Sequence, residues 1–160
     1  MISHQYHMLF ENDAEYLKKS HELSERCYEF SQFLVDVLGI TDLGARINAK
    51  VAYHPSCHLL RGLGVRTQPK TLLEGVGHLE CATGKDQEEC CGFGGMFSVK
   101  NSGISGGMLE NKLKNIQASG ANTIVSCDMG CLMHLEGGLK RRGSDINVKH
   151  ISQILAEGLS

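Results

Sequence analysis

No apolar run in this chain approaches the ~18 residues that a membrane-spanning helix needs. Met1-Ile2-Ser3-His4 carries no secretion-signal pattern either. Neither sign of charge dominates: the formal net charge is -2 at pH 7 over 160 residues, and the one basic stretch, Lys140-Arg141-Arg142, is short. Nucleic-acid binding and a direct membrane span are therefore unsupported, and a cytoplasmic location is the expectation. Only two prolines stand against nineteen glycines, many of them between Gly92 and Gly107, where backbone must turn sharply or approach something closely. There is no internal repeat, no low-complexity segment and no C-x-x-C pair. What the chain does have is seven cysteines, an odd number that cannot be fully paired within one chain. Structural disulfides are rare in a reducing compartment, so metal or redox chemistry is the expectation.

Hydrophobic periodicity divides the chain. Asn12 to Leu38 reads as a long amphipathic N-terminal helix, opened by an Asn12/Glu15 capping box and stopped at Gly39. Leu23, Cys27, Phe30, Leu34 and Val37 share one stripe of it, which makes Cys27 a small buried hydrophobe. Short strands are expected near Lys50–His54, His78–Ala82, Asn122–Ser126 and Ile146–Lys149. Helices are expected over Pro69–Val76, Ser105–Ser119, Met129–Lys140 and Ile151–Leu159. Alternating strands and helices imply an α/β fold with a parallel sheet of about four strands flanked by helices. The N-terminal helical segment, residues 1–40, stands apart from the α/β domain, residues 41–160.

The cysteines fall at strand ends. Cys57 follows the first strand, Cys90 and Cys91 the second, Cys127 and Cys131 the third. In a parallel sheet the strand C-termini open on one edge, where such folds place their sites. Five thiols distant in sequence thus converge on one rim, with His54 and His58 beside Cys57 and His150 after the fourth strand. Cys81, inside a strand, reads as buried and inert. Soft thiolates select zinc, copper(I) or iron–sulfur clusters. Structural zinc usually sits on two local knuckles, whereas scattered ligands suit a bulkier inorganic core. The Gly92, Gly94 and Gly95 amides can approach cluster sulfides and tune their potential. The same loop lacks the Lys-Ser/Thr of a phosphate-binding P-loop and the spacing of a dinucleotide fingerprint.

Three segments carry a resemblance: Tyr53-His54-Pro55-Ser56-Cys57-His58, Cys90-Cys91-Gly92-Phe93-Gly94-Gly95 and Gly130-Cys131-Leu132-Met133-His134-Leu135. They resemble the CCG (cysteine-rich) domain family, which includes the cysteine-rich subunit of heterodisulfide reductase and the iron–sulfur subunits of glycolate oxidase and anaerobic glycerol-3-phosphate dehydrogenase. Phe33–Gly39, Leu59–Val65 and Phe97–Lys100 are most similar to its lactate-utilisation branch. The resemblance runs from about Tyr6 to the C-terminus. It implies one CCG domain, matching the second of the two that such proteins usually carry. Residue by residue, it implies metal ligation by Cys57, Cys90, Cys91 and Cys131, with Cys127 as a fifth candidate. The family pattern ends in C-x-x-C; here Asp128 occupies the partner position and offers an oxygen in place of Cys127.

The expected function is an iron–sulfur electron-transfer subunit, its cofactor a [4Fe-4S] cluster, in an L-lactate or related 2-hydroxy-acid dehydrogenase complex. Its partners would be the other subunits of a lactate or glycolate oxidation complex, and the chain would not be a complete enzyme alone. His54 and His58 would donate to the cluster or exchange protons beside it, and Arg61 and Lys100 would offset charge or stay solvated. One alternative is a zinc-bound structural or docking module completed by His54, His58 or His150. Another is a thiol–disulfide enzyme using Cys90-Cys91 or Cys127 with Cys131, which needs a thiol of lowered pKa.

Overall fold

A computed structural model describes residues 2–159. Four strands form one parallel sheet, β1 (Arg46–Tyr53), β2 (Gly77–Cys81), β3 (Thr123–Ser126) and β4 (Asn147–His150), in the order β2-β1-β3-β4. The helices are α1 (Ile2–Leu9), α2 (Ala14–Ser24), α3 (Phe30–Gln32), α4 (Gln68–Glu74), α5 (Met96–Lys100), α6 (Ser102–Ala118), α7 (Met129–Arg141) and α8 (Ile151–Glu157). Two wider π-helical turns, Phe33–Val37 and His58–Leu63, follow α3 and β1. The α/β class and the four-stranded parallel sheet match the expectation from the sequence.

The N-terminal segment differs. The expected single helix is divided into α1, α2 and α3, because a second start signal competes with the apolar stripe. The Glu29 carboxylate accepts from Ser31 N at 2.8 Å and Gln32 N at 3.2 Å, and Gln32 Oε1 accepts from Glu29 N, a capping box that opens α3. The cap of α2 is Asp13, accepting from Tyr16 N at 3.1 Å, and not Asn12. Cys27 lies in the resulting break, half-buried, and not on a helical stripe. Cys81 is exposed on the edge strand β2, so it is not the buried thiol expected.

Strand alternation sorts the core into two halves, one on each side of the sheet. Ala52 and Ile124 face a cluster with Leu109, Leu113, Ile116, Leu135 and Leu139 of α6 and α7. Val51 and Val125, their chain neighbours, face Leu72, Leu73, Ile151, Ile154 and Leu155 of α4 and α8. Helices α6 and α7 touch closely where Gly138 meets them: a Cβ there would stand 2.8 Å from Leu113 Cδ1 and 2.9 Å from Leu109 Cδ2. Gly137, one residue earlier, faces open space.

These neighbours should respond oppositely in urea unfolding. Gly138→Val, overpacking the α6–α7 contact, should lower stability by about 1–3 kcal/mol. Gly137→Ala should raise it by about 0.5–1 kcal/mol through helix propensity.

Candidate metal centre

The alternation that builds the core also aims the site. His54 follows Tyr53 at the end of β1, and by period it falls on the side of Ala52, facing α6 and α7. Its backbone is fixed by β3: His54 N donates to Val125 O at 2.7 Å, and Ser126 Oγ donates to His54 O at 2.8 Å. Its ring is only 1% exposed. Nδ1 and Nε2 of this ring are the only buried side-chain nitrogen or oxygen atoms among the described residues without a hydrogen-bond partner.

Cys91 reaches the same place from the loop after β2. That loop needs glycine. Gly92 has φ +90°, and a Cβ there would stand 2.6 Å from Ser105 O and 3.0 Å from Met108 Cβ. Ser105 Oγ donates to Gly92 O at 2.8 Å, which ties the loop to α6. The Phe93 ring lies over α7, so close to Gly130 that a Cβ there would meet Phe93 Cε1 at 2.7 Å, with its centroid 5.8 Å from that of His134. Gly92 N donates to Cys90 Sγ at 3.3 Å, the kind of backbone-to-sulfur contact expected of this loop. Upstream, the buried Lys112 of α6 donates to Asp86 O at 3.2 Å and Gln87 O at 2.6 Å, holding a turn in which Asp86 has φ +54°.

Cys131 arrives from the first turn of α7. Its backbone N donates to Asp128 Oδ1 at 2.9 Å, so Asp128 is the cap of that helix. One ring nitrogen of His54, Cys91 Sγ and Cys131 Sγ all lie within 4.8 Å of one another, and all three residues are buried. Cys57, at the start of the His58–Leu63 turn, lies within hydrogen-bonding reach of Cys90, and both are half-buried. Cys57, Cys90, Cys91 and Cys131 thus lie near enough to one another and to His54 for the charge on one to act on the next.

The thiols of this group differ sharply. The neighbouring Cys131 holds the Cys91 thiol well below its ordinary value against the cost of burial, with the His54 ring and the Phe93 backbone helping. Cys131 is raised by the same contact and by burial. Cys90 is raised by burial, with Cys57 and Cys91 adding to the effect and the Gly92 N–H opposing it. Cysteine sulfurs and an imidazole packed together are a donor set for a soft metal, and metal binding would displace the protons.

The remaining candidates lie elsewhere. Cys127 shares its face with Val125 and packs into the other half of the core, with its Sγ 4.0 Å from Tyr53 Oη. Burial, reinforced by Glu29, pushes its thiol up to about 12. The structure therefore separates Cys127 from Cys131 across the sheet, correcting the expectation that all strand-end thiols share one rim. The His150 ring caps α8, accepting from Ser152 N at 3.2 Å, and His58 borders a cleft of about 650 Å³ against α1 and the α2–α3 break, which also contains Cys27. Counting residues along β3 from the buried Ile124 and Val125 is the signal that assigns Cys127 to the opposite face.

The cysteine-rich domain family (CCG) matches residues 51–136, the segment that holds His54, Cys57, Cys90, Cys91 and Cys131. The chain belongs to this family. It is 41% identical to Lactate utilization protein A 2 of Bacillus cereus over 160 residues, covering all of this chain and 66% of that protein. It is 46% identical to Lactate utilization protein A 1 of Bacillus mycoides over 158 residues, 98% of this chain and 64% of that one. To Lactate utilization protein A of Oceanobacillus iheyensis it is 43% identical over 151 residues, 94% and 62% respectively. The chain thus spans about two thirds or slightly less of these relatives' lengths. The adjacent cysteines for which the CCG family is known sit where Ser105, Phe93 and Lys112 hold the backbone from three directions.

Lys112→Met removes two hydrogen bonds to the turn before Cys90. Stability should fall by about 1–3 kcal/mol, and amide exchange should quicken at residues 83–90. Burial lowers the Lys112 pKa, so the unfolded chain binds that proton more tightly than the folded one. The Lys112 contribution to stability should therefore grow as pH rises towards the ordinary lysine value, so the stability gap between the parent protein and Lys112→Met should widen with pH in parallel urea titrations.

Proposed function

We propose that this chain is an iron–sulfur electron-transfer component of an L-lactate or related 2-hydroxy-acid oxidation system, working in the cytoplasm with partner redox subunits. The observation that carries the reading is the convergence of Cys57, Cys90, Cys91 and Cys131 beside the unpartnered ring of His54. Family membership and similarity to lactate utilization proteins support the lactate part of the reading. A cluster held here supplies one-electron transfer.

The chain's own residues then have defined tasks. The four cysteines hold the metal as thiolates, with Cys91 and Cys131 on the buried side and Cys57 and Cys90 towards solvent. The Gly92 amide, already directed at Cys90 Sγ, tunes thiolate charge. Gly94 and Gly95, both with positive φ, let the loop backbone close over the site. His54 contacts the metal environment from below. His58, on the cleft side, serves as a proton partner near the surface. A cluster held by these residues would supply one-electron transfer for electrons released from a 2-hydroxy acid at a partner subunit. Met96, Val99, Met129 and Met133, exposed on the helices flanking the loop, provide an apolar surface for that partner.

A second reading, a single zinc ion in a structural or docking module, is favoured by one observation: the His54, Cys91 and Cys131 donors are compact enough for one metal ion. Metal and sulfide content separates the two. Protein purified without oxygen should carry iron and acid-labile sulfide in near-equal amounts, about four of each per chain for a [4Fe-4S] cluster, with broad brown absorbance. Cys57→Ser, Cys90→Ser, Cys91→Ser and Cys131→Ser should each lower the iron content at least severalfold. Cys81→Ser, Cys27→Ser and Cys127→Ser should leave it unchanged. Stoichiometric zinc, with no iron taken up on anaerobic reconstitution, would sink the electron-transfer reading.

A further inference from the structure

We infer that His54, Cys91 and Cys131 bind one and the same metal atom, with a ring nitrogen of His54 in the place of the thiolate missing from the terminal C-x-x-C pattern. The inference rests on the proposal that the cysteine group holds metal and adds which atoms share it; an iron of a cubane [4Fe-4S] core takes three sulfides and one protein donor, so three donors on one atom imply a core that is not a cubane.

Four observations carry it. First, the His54 ring is buried with both nitrogens unpartnered, while its backbone is pinned by β3 on both polar groups. Imidazole nitrogens buried in this way are ordinarily hydrogen-bonded or metal-bound. Second, the three donor atoms are mutually within 4.8 Å. Two thiolates about 2.3 Å from one tetrahedral metal lie about 3.8 Å apart, and a thiolate and an imidazole nitrogen slightly less. Donors on separate metals of a cluster are further spread by the metal–metal distance, so this spacing suits a shared atom and needs only a small contraction. Third, Asp128, the residue at the C-x-x-C partner position, has its Oδ1 committed to Cys131 N as the cap of α7. Fourth, Cys127 faces the other half of the core. A ring nitrogen of His54 is the donor that stands within 4.8 Å of both buried sulfurs.

Cobalt(II) alone, added without oxygen to metal-free full chain, tests the inference, because it needs no sulfide. One cobalt per chain should bind with tetrahedral absorption bands, thiolate-to-cobalt charge transfer and a strongly shifted imidazole proton in the NMR spectrum. His54→Gln should lose the shifted imidazole signal and bind cobalt at least tenfold more weakly, whereas His58→Gln should keep both. The parent spectrum decides by itself whether a histidine is bound, so the inference stays exposed even where His54→Gln folds poorly. It is overturned by tight cobalt binding with no shifted imidazole proton, by a shifted proton that persists in His54→Gln, or by no tight cobalt binding. Failure of the iron–sulfur reading looks different: cobalt held through His54, but no iron and sulfide ever assembled.

Discussion

A buried imidazole with neither nitrogen satisfied is the constraint around which the rest of this site is arranged. Leaving a buried polar group unpaired costs on the order of 1–3 kcal/mol. The fold nevertheless fixes the His54 backbone, whose N donates to Val125 O and whose O accepts from the Ser126 hydroxyl in the centre of the sheet. The ring is instead presented to Cys91 and Cys131, with the three donor atoms within 4.8 Å of one another. Each of these groups is costly alone, and together they form a set that a soft cation relieves at once.

How the three reach one point follows from two unrelated pieces of local chemistry. Cys131 is aimed by a helix start, since Asp128 caps α7 and so orients its first turn over the end of the sheet. Cys91 is aimed by a loop that only glycine can form at residue 92, clamped by Ser105 from α6 and by the Phe93 ring against Gly130. A shift in either element would displace one sulfur. Leu109, Leu113, Leu135 and Leu139, buried between α6, α7 and the sheet, make such a shift expensive. The apolar core beneath the site therefore holds the donors above it in position.

Much of this is legible in the residues alone. Strand–helix alternation is enough to imply the parallel sheet, and the rule that sites gather at strand C-termini brings Cys57, Cys90, Cys91 and Cys131 to one edge. Two features are hidden from that reading. Periodicity across 12–38 suggests one helix, because an apolar stripe at Leu23, Cys27, Phe30 and Leu34 continues in phase through a break that Glu29 and Gln32 create by capping. Strand-end placement does not assign the faces of the sheet either, which leaves Cys127 grouped with Cys131. On a strand a one-residue step reverses the side chain, whereas a helix start can return it. Cys127 sits one step past Ser126, and Cys131 lies in the first turn of α7, so neighbours in sequence end in different halves of the core.

The same reasoning bears on why a carboxylate can stand at position 128. A thiolate there would serve the site, but it would cap the helix poorly, since Asp is among the strongest N-cap residues and its oxygen accepts from Cys131 N at 2.9 Å. With Asp128, the helix start is secured and Cys131 is held more rigidly, at the loss of one sulfur donor. That loss is tolerable only where another donor already faces the vacated side, and His54 does so from the neighbouring strand. The cap on α7 and the bare ring on β1 are thus complementary halves of one arrangement.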